Sequence, residues 1–365
     1  PSSDAIERYL QVARADRWFS NFGPCAELFR TRLEEAAGRP CVLVSNATIG
    51  LIAAIAVLRR SASPDADEAL LPSFAFAASA QSAVWNGLRP VFLDVAGDHW
   101  HLDPDRLQEM LAARADRVAV VVALSSFGVP PPPAVRERWE HLCADAGVPL
   151  LVDSAAGFGA RAADGVPIGG QGDMEVVSFH ALKPLSSGEG GAVFCRTAEQ
   201  AEELAHLVNF TFDDNHQALR ADGLNAKMSE PTAAIGLASF DELDDALDAR
   251  RRHSQAILEQ LPASFEAQTH HELGTWQFVS VAAPDAAMRT AVLEEAAQRA
   301  IGTRTYYDPL HLMPAFADFD RDDLEVTESL GSRMVSLPMA VDLSPAEIDA
   351  VAAMVRSASH AAQRA

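Results

Sequence analysis

The chain is predicted to fold as an α/β protein, with a mainly parallel sheet between two layers of helices and a smaller α+β carboxy-terminal unit. Three observations lead there. From about Arg39 to Val193, short apolar runs alternate with stretches of helical pattern. The runs are apolar throughout, as strands buried on both faces must be. Past about Phe265 the pattern changes to short strands mixed with helices. Alternating β and α with doubly buried strands means a parallel sheet covered by helices on both faces.

In chain order the strand-like runs are Cys41-Val42-Leu43-Val44, Ala69-Leu70-Leu71, Val91-Phe92-Leu93, Val118-Ala119-Val120-Val121-Val122, Leu150-Leu151-Val152 and Glu175-Val176-Val177. Between them, helices are expected over Thr48 to Arg60, Ala77 to Asn86, Asp103 to Ala113 and Ala134 to Ala146. Pro130-Pro131-Pro132-Pro133 reads as a stiff surface loop, not a domain linker. Ala198 to Val208 and Thr232 to Leu261 read as long helices. A strand over Trp276 to Val281 and helices over Met288 to Ala300 and Ser344 to Ser359 complete the smaller unit. The expected division is a large domain over 1–245 and a small one over 246–365.

The bulk properties narrow the function. A chain of 365 residues can bury a sizeable core. No apolar run approaches the roughly 20 residues of a membrane span, so no membrane partner is expected. Pro1-Ser2-Ser3-Asp4 has neither a basic nor an apolar leader region, and Cys25, Cys41, Cys143 and Cys195 form no CxxC pair. Reduced thiols and a cytoplasmic location are the expectation. A formal charge of −22 leaves no basic stripe for nucleic acid. His270-His271-Glu272 lacks the HExxH spacing, so no metal site is expected.

The chemistry gathers at two points. Lys183 sits in Ser178-Phe179-His180-Ala181-Leu182-Lys183-Pro184-Leu185-Ser186-Ser187-Gly188-Glu189-Gly190-Gly191, just beyond a strand. Glycines let the backbone approach a flat ligand, and a partly desolvated amine is a good imine-forming nucleophile. About thirty residues earlier, Leu150-Leu151-Val152-Asp153 ends a strand in one aspartate, followed by Ser154-Ala155-Ala156-Gly157. These are the two groups that pyridoxal phosphate needs: a carboxylate for the pyridinium nitrogen and a lysine for the aldehyde. In open α/β sheets, ligand sites gather at the carboxyl ends of strands, where Ser45, Phe76, Asp153 and Lys183 all fall.

Other segments extend the pattern along the chain: Trp18-Phe19-Ser20-Asn21-Phe22-Gly23-Pro24, Ser45-Asn46-Ala47-Thr48, Leu71-Pro72-Ser73-Phe74-Ala75-Phe76, Gly223-Leu224-Asn225-Ala226-Lys227-Met228-Ser229-Glu230, Tyr307-Asp308-Pro309-Leu310-His311 and Ser336-Leu337-Pro338-Met339. In their order and spacing they resemble the sugar aminotransferases of the DegT/DnrJ/EryC1/StrS family, enzymes of the pyridoxal phosphate transferase fold type I. The resemblance runs nearly end to end.

It implies roles residue by residue. Lys183 and Asp153 would be catalytic. Ala47 and Thr48 at a helix start, with Ser178, would hold the phosphate; Ala155 follows Asp153 against the cofactor, and Phe76 would stack on its ring. Because Phe74 stands two residues from Phe76, a turn must intervene or one ring must pack elsewhere. Asn225 would cross from a partner subunit to the cofactor's phosphate, making a homodimer with shared sites. His180, Lys227 and His311 would face the substrate. At Ala156 the chain departs from its relatives, which frequently place Gln there to bond the cofactor's phenolic oxygen. The expected reaction moves an amino group from an amino acid, L-glutamate first, to a nucleotide-linked keto-deoxysugar such as a dTDP-4-keto-6-deoxyhexose, with pyridoxamine phosphate as the aminated cofactor. The alternatives are a cyclitol aminotransferase and a catalytically silent regulator of the same fold.

Overall fold

The computed structural model describes residues 1–362. Its eleven strands are β1 (Cys41–Val44), β2 (Glu68–Pro72), β3 (Arg89–Leu93), β4 (Val118–Leu124), β5 (Leu150–Asp153), β6 (Met174–Ser178), β7 (Gly191–Cys195), β8 (Glu266–Ala267), β9 (Val279–Ala282), β10 (Asp320–Arg321) and β11 (Met334–Leu337). Eight of them form one sheet in the order β1-β7-β6-β5-β4-β2-β3-β10. Pairing is parallel from β6 through β10, whereas β7 runs antiparallel to both neighbours. The expected α/β fold is therefore present, with one reversed strand.

Side chains on a strand alternate between faces, and β4 shows why its run is apolar throughout. Val120 and Val122 pack on one side with Leu51, Ile55 and Leu71. Val121 and Ala123 pack on the other with Leu107, Leu111 and Trp139. Helices 47–58 and 77–85 cover the first face; 104–114 and 133–146 cover the second. Gly191 sits where the start of helix 47–58 meets β7. A Cβ there would lie 2.9 Å from the Ala47 nitrogen and 2.8 Å from the Val177 oxygen, so only glycine permits the approach.

The smaller sheet has the order β11-β9-β8 and is antiparallel. Val279, Val281, Val335 and Leu337 pack there against Ile257, Val292, Val351 and Val355 from helices 243–258, 286–298 and 345–362. The chain also returns to the large sheet: β10 lies parallel to β3 at its edge. Nearby, Asp94 accepts from the backbone N–H groups of Val326 (2.9 Å) and Thr327 (2.8 Å) and from the Thr327 hydroxyl (2.6 Å).

Three expectations need correction. Pro130 and Pro131 are buried and Pro133 is the first residue of helix 133–146, so the proline run is not a surface loop. The single helix over 232–261 is two helices, Glu230–Asp241 and Leu243–Leu258, parted at Glu242. No Pro or Gly marks the break; the first helix packs on helices 3–15 and 24–37, the second on 345–362 and β9. The strand placed over 276–281 begins only at Val279. Trp276 has φ +57°, so it and Gln277 belong to a turn before the strand. Strand β7 was also missed among the glycines before it. Among the described residues, no helix is long and apolar enough to cross a membrane. The four cysteines are free and buried.

Candidate active site

A cleft of about 260 Å³ opens over the carboxyl ends of β1, β2, β4, β5 and β6. Asp153 is the last residue of β5 and Ser178 the last of β6, while helix 47–58 begins directly after β1. The cleft is lined by eight predicted residues: Ala47, Thr48, Phe76, Asp153, Ala155, Ser178, His180 and Lys183.

Asn46 caps the helix. Its backbone is extended, and its side-chain oxygen accepts from the Ile49 nitrogen at 2.9 Å. The first N–H groups of the helix are thus left facing the cleft beside Thr48, as an anion site requires. Gly50, one turn on, sits with its missing Cβ 3.2 Å from Val44, Val176 and Val193, so the helix lies close on the sheet.

Asp153 is buried, and burial pushes its carboxyl above the ordinary value. The Ser79 hydroxyl at 2.6 Å, the Ala155 N–H at 3.2 Å and the charge of Lys183 pull it back. Lys183 Nζ donates to Gln277 Oε1 at 2.9 Å. Desolvation draws the amine down to about 8, against the raising effect of Asp153. A lysine in that range has a minor but appreciable neutral fraction near physiological pH, available as a nucleophile.

Phe76 projects into the cleft, with its ring edge-on to Tyr306 at 6.3 Å. The turn required between the two phenylalanines is present. Strand β2 ends at Pro72, and Phe74 turns inward to pack against Phe127 and Tyr307. The His180 ring stands 3.7 Å from Glu189 at the mouth.

Three predicted residues lie outside this cleft. Lys227 Nζ donates to Asn225 Oδ1 at 2.8 Å and sits 4.5 Å over the Phe210 ring. Lys227 borders a separate hollow with Phe22, Arg30 and Glu34. His311 is buried, with Nδ1 2.7 Å from the Ser73 hydroxyl and Nε2 3.1 Å from Glu328. It ties the 307–312 segment to the end of β2. The cleft also contains residues that sequence reasoning did not assign: Ser125, Phe127, Gln277, Phe278 and Tyr306. Ser79, behind Asp153, was missed as well; a serine one turn into a helix carries no signal of its partner.

The residues fit pyridoxal phosphate on the structure's own terms. A partly buried lysine and a buried aspartate share one cleft with a helix N-terminus, two hydroxyls and an aromatic face. Each element of that set answers one part of the cofactor: aldehyde, ring nitrogen, phosphate and ring face.

The fold and the cleft are those of an aminotransferase. The chain belongs to the DegT/DnrJ/EryC1/StrS aminotransferase family, whose sequence model matches residues 2–356. It is 34% identical to Protein Rv3402c of Mycobacterium tuberculosis, over 98% of this chain and 87% of that protein. It is 26% identical to a dTDP-4-amino-4,6-dideoxy-D-glucose transaminase of Shigella dysenteriae, over 98% of this chain and 96% of that one. Among solved structures, a putative PLP-dependent aminotransferase from Bacillus cereus superposes with a TM-score of 0.90 at 30% identity, covering 98% and 97% of the two chains. DesI, solved in the presence of its TDP-sugar product, superposes with a TM-score of 0.88 at 32% identity, covering 100% and 93%.

Proposed function

We propose that this aminotransferase uses pyridoxal phosphate to move the amino group of an amino acid, L-glutamate first, onto the keto carbon of a nucleotide-linked deoxysugar. The substrate proposed is a dTDP-4-keto-6-deoxyhexose. The observation that carries the reading is the pairing of partly buried Lys183 with buried Asp153 in one cleft over the strand ends. The substrate class is supported by the two relatives whose names specify a dTDP-amino-sugar activity or a TDP-sugar product.

When bound, pyridoxal phosphate supplies an aldehyde for amine exchange and a ring that draws electrons from the carbon losing its proton. The chain's residues do the rest. Lys183 Nζ would hold the cofactor through its aldehyde and, when free, would carry the proton that leaves the substrate's amine-bearing carbon. Its depressed basicity lets it take up and give back that proton near neutral pH. Asp153 keeps the ring nitrogen protonated, with the Ser79 hydroxyl fixing the orientation of the carboxylate. The N–H groups at Ala47 and Thr48, with the Thr48 and Ser178 hydroxyls, hold the phosphate without requiring a basic side chain. Phe76 would cover one face of the ring.

The anionic sugar nucleotide must be met locally, because the chain as a whole is strongly acidic. We place Lys227 of a second copy at that task, with Asn225 of the same copy reaching the cofactor's phosphate, as parts of a shared site in a homodimer. Exposed Phe22 borders the same hollow as Lys227, and with exposed Trp18 and Phe19 near it in the chain it would supply the apolar contact surface.

The test is direct. Glutamate should bleach the visible band of the cofactor-loaded protein and release 2-oxoglutarate. A panel of nucleotide-linked 4-keto and 3-keto sugars should then restore the band, with product mass and NMR giving the aminated carbon. A band that glutamate and other amino acids leave unchanged refutes the reading.

A further inference from the structure

The cofactor carries a phenolic oxygen on the ring carbon next to its aldehyde, and an oxygen taken out of water needs a donor. Ala155 and Ala156, the residues of the loop after β5 on the cleft wall, have no side-chain donor. The donor must come from elsewhere, within reach of Lys183 Nζ, because aldehyde and phenolic oxygen are ring neighbours.

Gln277 meets that condition. Its Oε1 accepts from Lys183 Nζ at 2.9 Å. Both hydrogens of its Nε2 are without a partner among the described residues, and the side chain lines the cleft. Among the described residues, Gln277 is the one polar side chain bonded to Lys183 Nζ; the Ser125 hydroxyl is engaged with Ser154 at 2.8 Å, and the Tyr306 and Tyr307 hydroxyls line the cleft without a bond to that amine. The turn that carries Gln277 is also anchored against the position that lacks a donor. The Thr275 hydroxyl donates to the Ala156 oxygen at 2.6 Å, and the Thr275 N–H to the Gly128 oxygen at 3.3 Å. Gly128 has φ +80°, and a Cβ there would fall 2.4 Å from the Thr275 hydroxyl and 2.7 Å from the Ala156 oxygen. Only glycine lets the turn lie this close to Ala156.

We propose that Gln277 donates to the cofactor's phenolic oxygen from the small-domain side of the cleft, the task that Ala156 cannot perform. The assignment rests on the pyridoxal phosphate reading above. A carboxamide suits the place because its oxygen serves the lysine ammonium when the cofactor is away, and its N–H serves the phenolic oxygen when the cofactor is bound.

The readout is the pH midpoint of the visible band, which follows the proton on the Lys183 nitrogen of the loaded protein. A donor on the phenolic oxygen favours the deprotonated nitrogen, since a protonated one already neutralises that oxygen. Removing the donor therefore raises the midpoint. Gln277→Leu should raise it by about one pH unit and weaken cofactor binding by the cofactor-free protein about tenfold. Gln277→Glu keeps an acceptor for Lys183 but no donor, and should raise the midpoint as well. Adding Ala156→Gln to Gln277→Leu should bring it back, because a carboxamide then reaches the oxygen from the other wall. A midpoint unmoved in Gln277→Leu, or left displaced after Ala156→Gln is added, overturns the assignment. A wild-type protein without an amino-acid-bleached band would instead remove the aminotransferase reading beneath it.

Discussion

The Ser79 hydroxyl donates to Asp153 Oδ2 at 2.6 Å, across the junction between helix 77–85 and the end of β5. One carboxylate oxygen is thereby oriented from within the protein. The hydroxyl also opposes the burial that pushes the Asp153 carboxyl upward. In Ser79→Ala the carboxyl should rise further, and a protonated acid cannot hold a protonated ring nitrogen. Turnover at neutral pH should fall about tenfold, and the acidic limb of the rate profile should move to higher pH. A rate profile superimposable on the wild type would show that Ser79 does not tune Asp153.

Asp153→Asn should still bind pyridoxal phosphate, because phosphate and lysine contacts remain. Transamination should slow by orders of magnitude, since a neutral amide does not hold the ring nitrogen in its cationic form. Single-turnover kinetics with glutamate measure this; a near-normal rate would make Asp153 structural.

Lys183 combines a functional prediction with a stability one. Lys183→Ala should lose the visible band and turnover while remaining folded. In the cofactor-free wild type, reaction with added pyridoxal phosphate should gain rate with a midpoint near the depressed value of about 8. The sign for stability follows. Between about 8 and the ordinary lysine value of 10.5 the unfolded chain holds the extra proton, so cofactor-free protein gains stability as pH rises through that window. Below it the full penalty applies. Lys183→Met should therefore stabilise the cofactor-free protein at pH 7 by on the order of 3 kcal/mol, measured by urea unfolding. Equal stabilities would mean that the amine is hydrated in the folded state.

Buried Glu230 begins helix 230–241 and accepts from three backbone N–H groups: Gly23 at 3.0 Å, Cys25 at 2.7 Å and Ala26 at 3.0 Å. It thereby fixes the start of helix 24–37 and the aromatic segment before it. Glu230→Ala leaves those donors buried without a partner and should cost about 3 kcal/mol in thermal or urea unfolding. A loss under 1 kcal/mol would mean that water replaces the carboxylate.

The shared site is tested by complementation. Lys183→Ala and Asn225→Ala chains, each inactive alone, should regain activity when mixed and exchanged, because each hybrid dimer has one intact site. Hybrids that form and stay inactive, or an active enzyme that sediments as a monomer, would exclude the arrangement.

How much of this was legible in the sequence follows from where each signal resides. Lys183 and Asp153 were visible because each combines a strand end with small or glycine-rich neighbours, a local pattern. The turn between Phe74 and Phe76 was visible as a conflict between two aromatic residues and a period of two. Gln277 was hidden because Trp276-Gln277-Phe278-Val279 has the composition of a strand, and only packing against Gly128 and Ala156 bends its start into a turn. The break at Glu242 was hidden for a related reason: helix propensity continues across it, and the two halves diverge because they have different partners. Strand β10 has two charged residues, and nothing local distinguishes it from a loop.

Both margins of the large sheet are closed to further strands. At β1 the Cys41 N–H is taken by Glu34 at 2.9 Å, the Ser45 N–H by the Ala226 oxygen at 2.7 Å, and Val44 is bridged by Lys227. At the far margin β10 is only Asp320–Arg321, short, charged and exposed. Neither rim offers a template on which another chain could crystallise strand by strand. Any association between copies of this chain would therefore run through side-chain surfaces, with the backbone of the large sheet taking no part in it.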